Sequence, residues 1–200
     1  MQTAIDLFEA SMSRVRSLHG LYGAFAKQVT AAIDLSDVLR AEIVLAVSAL
    51  DYYVHELTRL GMLECWSGSR NRTDAFNRFP LPICIAGGLS NPSTAKQIIE
   101  AEIRLRHGFL SFQHHDRIAD AVRLFSDVKL WEEVGKELGI SANAVKTSLV
   151  LIVDRRNKIA HEADIDPSYP GQRWPIDAVL VEQTFDELEA IGRAIFKVVI

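Results

Sequence analysis

Apolar residues recur along this chain at the three- and four-residue spacing that gathers side chains on one face of a helix. Over residues 3–33 the stripe reads Ile5, Phe8, Met12, Val15, Leu18, Tyr22, Phe25 or Ala26, Val29 and Ile33, with Gly20 and Gly23 weakening its middle. Asp34–Leu35–Ser36–Asp37 interrupts the pattern and offers Asp34 or Ser36 as the N-cap of a second helix. That helix extends to about Leu63 on a seam of Leu39, Ile43, Ala46, Leu50, Tyr53, Leu57 and Leu60. So regular a seam belongs to a helix packed lengthwise in a bundle or across a dimer.

Residues 66–92 break the rhythm. Gly68, Pro80, Pro82, Gly87, Gly88 and Pro92 punctuate them, Arg70, Arg72 and Arg78 make them basic, and one short helix is expected near Thr73–Arg78. Helical periodicity returns over Ser93–His107, with Ile98, Ile99, Ile103 and Leu105 as its apolar side. Shorter helices follow over Asp116–Phe125 and Val128–Leu138, and Gly139–Ile140–Ser141 forms a turn in which Ser141 caps the next helix. After a Pro167–Pro175 loop, Asp177–Val199 carries Val181, Phe185, Leu188, Ile195 and Val199 on one stripe. No strand-period alternation and no internal repeat is present, so the sequence predicts one all-α helical bundle over residues 1–200 with an irregular Pro/Gly-rich insertion around 66–92.

The stretch Ala144–Asp166 departs from its own pattern. Its apolar seam, Val145, Leu149, Ile152 and Ile159, has Arg156 where the next core residue belongs, and Asn157 continues the row Val150–Val153–Asn157–Ala160. A guanidinium and an amide on a packing face are costly unless each finds partners. Asp51 or Glu42, on the second helix, is a candidate counter-ion for Arg156 if the two helices pack together; the plainer reading is an exposed acid on a helix flank. One turn beyond lies His161, then the acidic tail Glu162–Ala163–Asp164–Ile165–Asp166, whose acids read as a solvated loop.

Of 200 residues, 24% are charged and 48% hydrophobic, which fits a globular chain with a substantial core rather than a disordered one. A net charge of −4 excludes a surface that coats nucleic acid, leaving only a local basic patch. The longest apolar run, Ile43–Leu50, is too short to span a bilayer, and Asp6 and Glu9 interrupt any signal-like start, so the expected compartment is the cytoplasm. Cys65 and Cys84 stand apart without metal-ligand spacing and read as reduced thiols. No metal or cofactor is expected.

Arg156, Asn157 and His161 are the groups needed to cleave an RNA phosphodiester without a metal. A neutral imidazole takes the 2′-hydroxyl proton, a guanidinium grips the phosphate, and an amide orients either. Arg156 and His161 point about 140° apart on an ideal helix, whereas Asn157 and His161 share a face. Two copies meeting across a two-fold axis pair one chain's Arg156 with the other's His161, which makes a homodimer the natural unit. Arg155, Lys158 and Lys146, with Arg173 beyond them, give this helix a positive bias suited to an RNA backbone, and Tyr52 or Tyr53 can stack a base. The same Arg, Asn and His types also satisfy helix-terminal carbonyls without any chemistry.

The six residues Arg156–Asn157–Lys158–Ile159–Ala160–His161 resemble the hallmark of the HEPN superfamily: arginine, a polar residue, three variable positions and histidine. The preceding text LWEEVGKELGISANAVKTSLVLIVDRRNKIAHEAD, and SALDYYVHEL at 48–57, are similar to the prokaryotic RiboL-PSP-HEPN subgroup, so the resemblance runs from the second helix to the last. It implies a helical bundle that dimerises with the motifs facing each other. It also implies metal-independent endoribonuclease activity that leaves a cyclic phosphate, in toxin–antitoxin, phage-defence or RNA-processing systems, with an antitoxin or other defence component as partner. Arg156 and His161 take the catalytic positions and Asn157 the supporting one. One toxin branch carries a tyrosine two residues after the histidine as a target for nucleotide modification; Ala163 stands there, so that regulation does not transfer.

A second class of function lies in residues 131–148. EVGKELGISANAVK imitates a DNA-binding helix-turn-helix: Gly135 permits close packing, Gly139 turns the chain, and Asn143, Lys146 and Ser148 face a groove. The apolar run Leu149–Val153 argues instead for a core helix. His114–His115–Asp116 reads as a helix cap with diverging imidazoles, His55–Glu56 lacks the second histidine of a zinc protease helix, and Gly87–Gly88 lacks a phosphate loop's lysine.

Overall fold

In a computed structural model describing residues 1–30, 33–169 and 171–200, Pro92's side chain apart, the seam residues Leu39, Ile43, Ala46, Leu50, Tyr53 and Leu57 are each at most 1% exposed. Among the described residues there are nine α-helices and no strand. These are α1 (Gln2–Ala26), α2 (Ser36–Ser67), α3 (Asp74–Asn77), α4 (Ala86–Leu89), α5 (Pro92–His107), α6 (His115–Arg123), α7 (Leu130–Leu138), α8 (Ala142–Glu162) and α9 (Ala178–Val199). The chain is the all-α bundle that its periodicity predicts.

Ion pairs along the long helices fix their directions. Met1 lies near Glu64 and His19 near Glu42, so α1 and α2 run antiparallel; Glu9 meets Arg193 and Arg16 meets Glu189, so α9 runs against α1. The start of α2 meets the end of α8 through Arg40 and Asp164. Val145, Leu149, Ile152 and Val153 of α8 join one continuous core with Phe8 and Met12 of α1 and Phe185 and Leu188 of α9. Each such side chain contributes about 1.5–3 kcal/mol by leaving water. A smaller cluster, Met62, Leu63, Ile99 and Ile103, pins α5 and the insertion to the far end of α2.

Two glycines set how closely elements approach. A Cβ on Gly192 would stand 2.4 Å from Phe8, whose ring stacks on Tyr53 at 5.0 Å. At Gly135 it would meet the Ile140 carbonyl at 2.7 Å, so the turn between α7 and α8 folds back as the sequence expected, with Gly139 left-handed and Ser141 Oγ accepting the Ala144 N–H.

Some expectations are corrected. Helix α1 ends at Ala26, with Phe25 exposed and Val29 and Ile33 beyond it, because little packs on that end; Ala31 and Ala32 lie outside the described residues. On α5, Ala95, Ile99 and Ile103 form the buried stripe while Leu105 faces out. The insertion holds the short helix expected near 73–78, capped by Thr73, but two of its three arginines are anchored in the fold. Arg70 binds Glu64 and the Val199 carbonyl, and Arg72 binds the Cys65 carbonyl. Cys65 is buried, Cys84 exposed, and both are free thiols. No helix among the described residues is long and apolar enough to cross a membrane.

Candidate active site on the last turns of α8

Helix α8 stops because the chain turns left-handed at two successive non-glycine residues, Ala163 (φ 51°) and Asp164 (φ 59°). Such a conformation costs an L-residue about 1–2 kcal/mol. Several bonds hold it. The Asp164 N–H donates to the Lys158 carbonyl, the Trp174 N–H donates to the Asp164 carbonyl, and Ile165 pairs with Arg173. Segment 163–176 thus straps the end of α8 to the start of α2, with Arg173 on Asp34 and Asp37.

The strap overturns the solvated reading for two of the three acids of the tail, while Glu162 stays exposed as expected. Asp164 is wholly buried and Asp166 nearly so. Asp164 Oδ2 accepts from Arg40 Nε at 2.7 Å and from Arg155 Nη2 at 2.9 Å. Arg155 also donates to the Trp174 and Pro175 carbonyls; burial lowers its pKa, Asp164 opposes that, and Arg40 adds to it. Arg155 is therefore a structural cation and not the free phosphate contact expected. Lys158 is likewise engaged, 2.9 Å from Asp154 and 5.2 Å from the centre of the Trp174 ring. Arg173 is neutralised by its two aspartates. Lys146 forms no ion pair among the described residues and stays half-exposed.

Arg156 differs from its neighbour. It is half-buried, forms no ion pair among the described residues, and donates through Nη1 to Asn157 Oδ1 at 3.0 Å, while its Nε is buried without a partner. The proposed counter-ions are occupied elsewhere. Asp51 accepts the Phe112 N–H and Gln113 Nε2, and Glu42 accepts from His19 at 2.7 Å in a site where burial pushes its carboxyl pKa up. Full burial of Arg156 does not occur because the core thins at this end of α8: beyond Val153 every residue to Ile159 is only partly covered or exposed. His161 is exposed and makes no side-chain hydrogen bond among the described residues. Asn157 shares a face with His161, so the Arg156–Asn157 bond draws the guanidinium toward the flank carrying the imidazole. Val150, partly exposed, lies on the same flank two turns earlier.

A groove of about 360 Å³ runs along the other side of α8, between it and α9, lined by Ile43, Leu151, Arg155 and Leu180 among others; Arg156, Asn157 and His161 do not line it. Of the helix-turn-helix candidates, Ser148 is bonded to Glu187 and Asn143 is exposed. Tyr53 is buried with its hydroxyl on the Gly192 carbonyl, which removes it as a base platform, whereas Tyr52 is half-exposed. His114 and His115 do not diverge: their rings lie 4.1 Å apart, and with Asp116 they bring three ligand atoms within 4.8 Å of one another. His114 Nδ1 nonetheless accepts the Asp116 N–H, as the expected cap of α6. Comparison with protein-family models, curated proteins and solved structures finds no match to this chain.

Proposed function

We propose that the chain is a metal-independent endoribonuclease of the HEPN type, acting in the cytoplasm as a homodimer. The observation that carries this reading is the contrast between adjacent arginines. Arg155 Nη2 is fastened to a buried carboxylate and two carbonyls, whereas Arg156 bonds only to an amide among the described residues, and each leaves its Nε unpaired. An arginine without a carboxylate at the rim of a core is held ready for an anion.

In the proposed reaction His161 takes the proton of a ribose 2′-hydroxyl, and the 2′-oxygen bonds to the adjacent phosphorus. The bond from phosphorus to the 5′-oxygen breaks, and that oxygen leaves with a proton returned by an imidazolium. Arg156 holds the phosphate oxygens as charge builds, and Asn157 keeps the guanidinium aimed. Within one subunit the two groups diverge, so the reading requires the second subunit to supply the opposing residue. Lys146 remains an RNA-backbone contact, and an antitoxin or defence-system component is the partner class. The test is cleavage of RNA in EDTA by the wild type, Arg156→Ala and His161→Ala; activity that survives the chelator and disappears in both variants is expected.

A non-catalytic module that binds a protein or nucleic acid is the second reading. It is favoured by the divergence of Arg156 and His161 in the single chain. Absence of cleavage of any RNA at high protein concentration would establish it over the nuclease.

A further inference from the structure

A second polar cleft lies between α2 and α5. It is a cavity of about 220 Å³ whose lining includes Tyr52, His55, Arg104 and His107. His107 is 5% exposed, its Nδ1 is buried without a partner, and the ring makes no side-chain hydrogen bond among the described residues. Core histidines are ordinarily satisfied, because an unpaired buried polar group costs about 1–3 kcal/mol. Its ring sits edge-on to Phe112 at 5.6 Å, and the His55 ring lies tilted against the same phenyl ring at 4.4 Å. Burial, and secondarily the nearby His55, bring the His107 pKa down to about 4, so it is a neutral acceptor and donor at ordinary pH.

The charged groups at the rim balance one another. Glu56 takes Arg59 at 2.6 Å and Arg104 at 3.1 Å, and Glu100 takes Arg59 at 2.9 Å and Arg104 at a long 3.5 Å. Arg104 is half-exposed, with Nη1 on Glu56 and Nη2 at a long distance from Glu100, and its Nε makes no hydrogen bond among the described residues. Tyr52 is also half-exposed and without a hydrogen bond among the described residues. At about 220 Å³ the space is below the ~300–1,000 Å³ of drug-sized sites, and it admits one ring system.

We propose that this cleft binds a small planar ring bearing an anionic group and a hydroxyl or N–H donor. The ring lies against Tyr52 and the imidazoles, the anion bonds to Arg104, and the donor bonds to His107. No residue of α8 takes part, and the cleft shares with the nuclease reading only Tyr52, the base platform left there. Carboxylate and phosphate are both met by the same guanidinium, so 4-hydroxybenzoate and 4-hydroxyphenyl phosphate are the two probes, with 4-hydroxybenzyl alcohol as the neutral control. Calorimetry on the full chain, with the imidazole resonances of His107 and His55 followed by NMR, reads the result. One or both anions bind at millimolar concentration or better and move both resonances, the tighter of the two identifying the anionic group. Affinity falls about tenfold or more for the alcohol and for Arg104→Gln, as loss of a charge-assisted bond requires. His107→Phe, which keeps an aromatic ring in place, binds 4-hydroxybenzoate no better than the wild type binds 4-methoxybenzoate. Unmoved resonances, equal binding of the neutral alcohol, or an undiminished Arg104→Gln variant would overturn the proposal.

Discussion

Arg40 of α2 and Arg155 of α8 donate to the same oxygen of Asp164, at 2.7 and 2.9 Å, in a site where that carboxylate is wholly buried. Two like charges converge there because one anion joins them. Removing it leaves two guanidiniums beside each other, Arg155 with two carbonyls and Arg40 with the Trp174 carbonyl, the Ser36 hydroxyl and the more distant, exposed Asp37. Breaking a buried pair from one side costs about 3–5 kcal/mol. Asp164→Ala is therefore expected to lose about 3 kcal/mol or more in urea denaturation, with the strap 163–176 exchanging amide hydrogens faster. A loss under about 1 kcal/mol, no more than a surface ion pair gives, would mean the clamp is not what closes α8.

The neighbouring arginines separate stability from chemistry. Arg155→Ala should destabilise the fold by several kcal/mol, as removal of a buried pair partner does. Arg156→Ala and His161→Ala should change stability by less than about 1 kcal/mol, since neither residue forms an ion pair among the described residues. If the dimeric nuclease reading holds, mixing those two inactive variants restores part of the cleavage through hybrid sites. Failure of rescue despite proven subunit exchange would count against a shared site.

The helices were legible because burial at their seams follows the 3.6-residue period, and Ser141 caps α8 as expected; α2 instead starts after Leu35 with no side-chain cap, and Thr73 and Asp177 cap α3 and α9 without having been named as caps. The exception of Arg156 on a core row was also legible. What periodicity could not give was where each helix meets nothing, as at the frayed end of α1, or which arginine of the Arg155–Arg156 pair is fastened. The latter depends on Asp164, whose burial follows from two left-handed residues and a returning loop. A run of acids after a helix looks solvated until the chain doubles back. His107 was missed because it ends an ordinary amphipathic helix; only its lack of a partner marks it.

Ala163 has φ 51° and ψ 22°, a region that glycine enters without penalty. Its exposed side chain makes substitution free of packing loss. Ala163→Gly is expected to stabilise the protein by about 0.5–1 kcal/mol, the relief exceeding the entropy glycine adds to the unfolded chain. A lower melting temperature in the variant would show that the strap does not hold this turn in the folded protein.

At Gly61 an added Cβ would stand 2.3 Å from the Phe125 ring, which is itself almost wholly buried. The ring cannot withdraw without opening the core between α2 and the 124–129 turn. Gly61→Ala should cost about 1–3 kcal/mol despite alanine's better helix propensity, whereas Gly20→Ala, with nothing within 4 Å, should be neutral or stabilising. Chemical denaturation of the two variants together makes the comparison, and equal gains at both sites would refute the close contact.

His107 also makes stability depend on pH in a defined window. Its pKa falls from 6.5 to about 4 on folding, so as pH drops below 6.5 the unfolded chain takes up the proton first. The folded state therefore loses stability progressively from pH 6.5 down through 4, by about 3 kcal/mol at the limit. The groups around the ring are His55, Glu56 and Arg59 from α2, Arg104 and Arg106 on its own helix, Arg117 and Asp120 from α6, and the apolar Phe79 and Phe112; Glu56 is taken by Arg59 and Arg104. None places an anion directly on the imidazole that would hold its charged form. His107→Phe removes the titration, so its urea midpoint should gain on the wild type's as pH is lowered from 7 to 4. Parallel curves for the two proteins would mean that His107 finds a proton acceptor in the fold and is not the unpaired base described above.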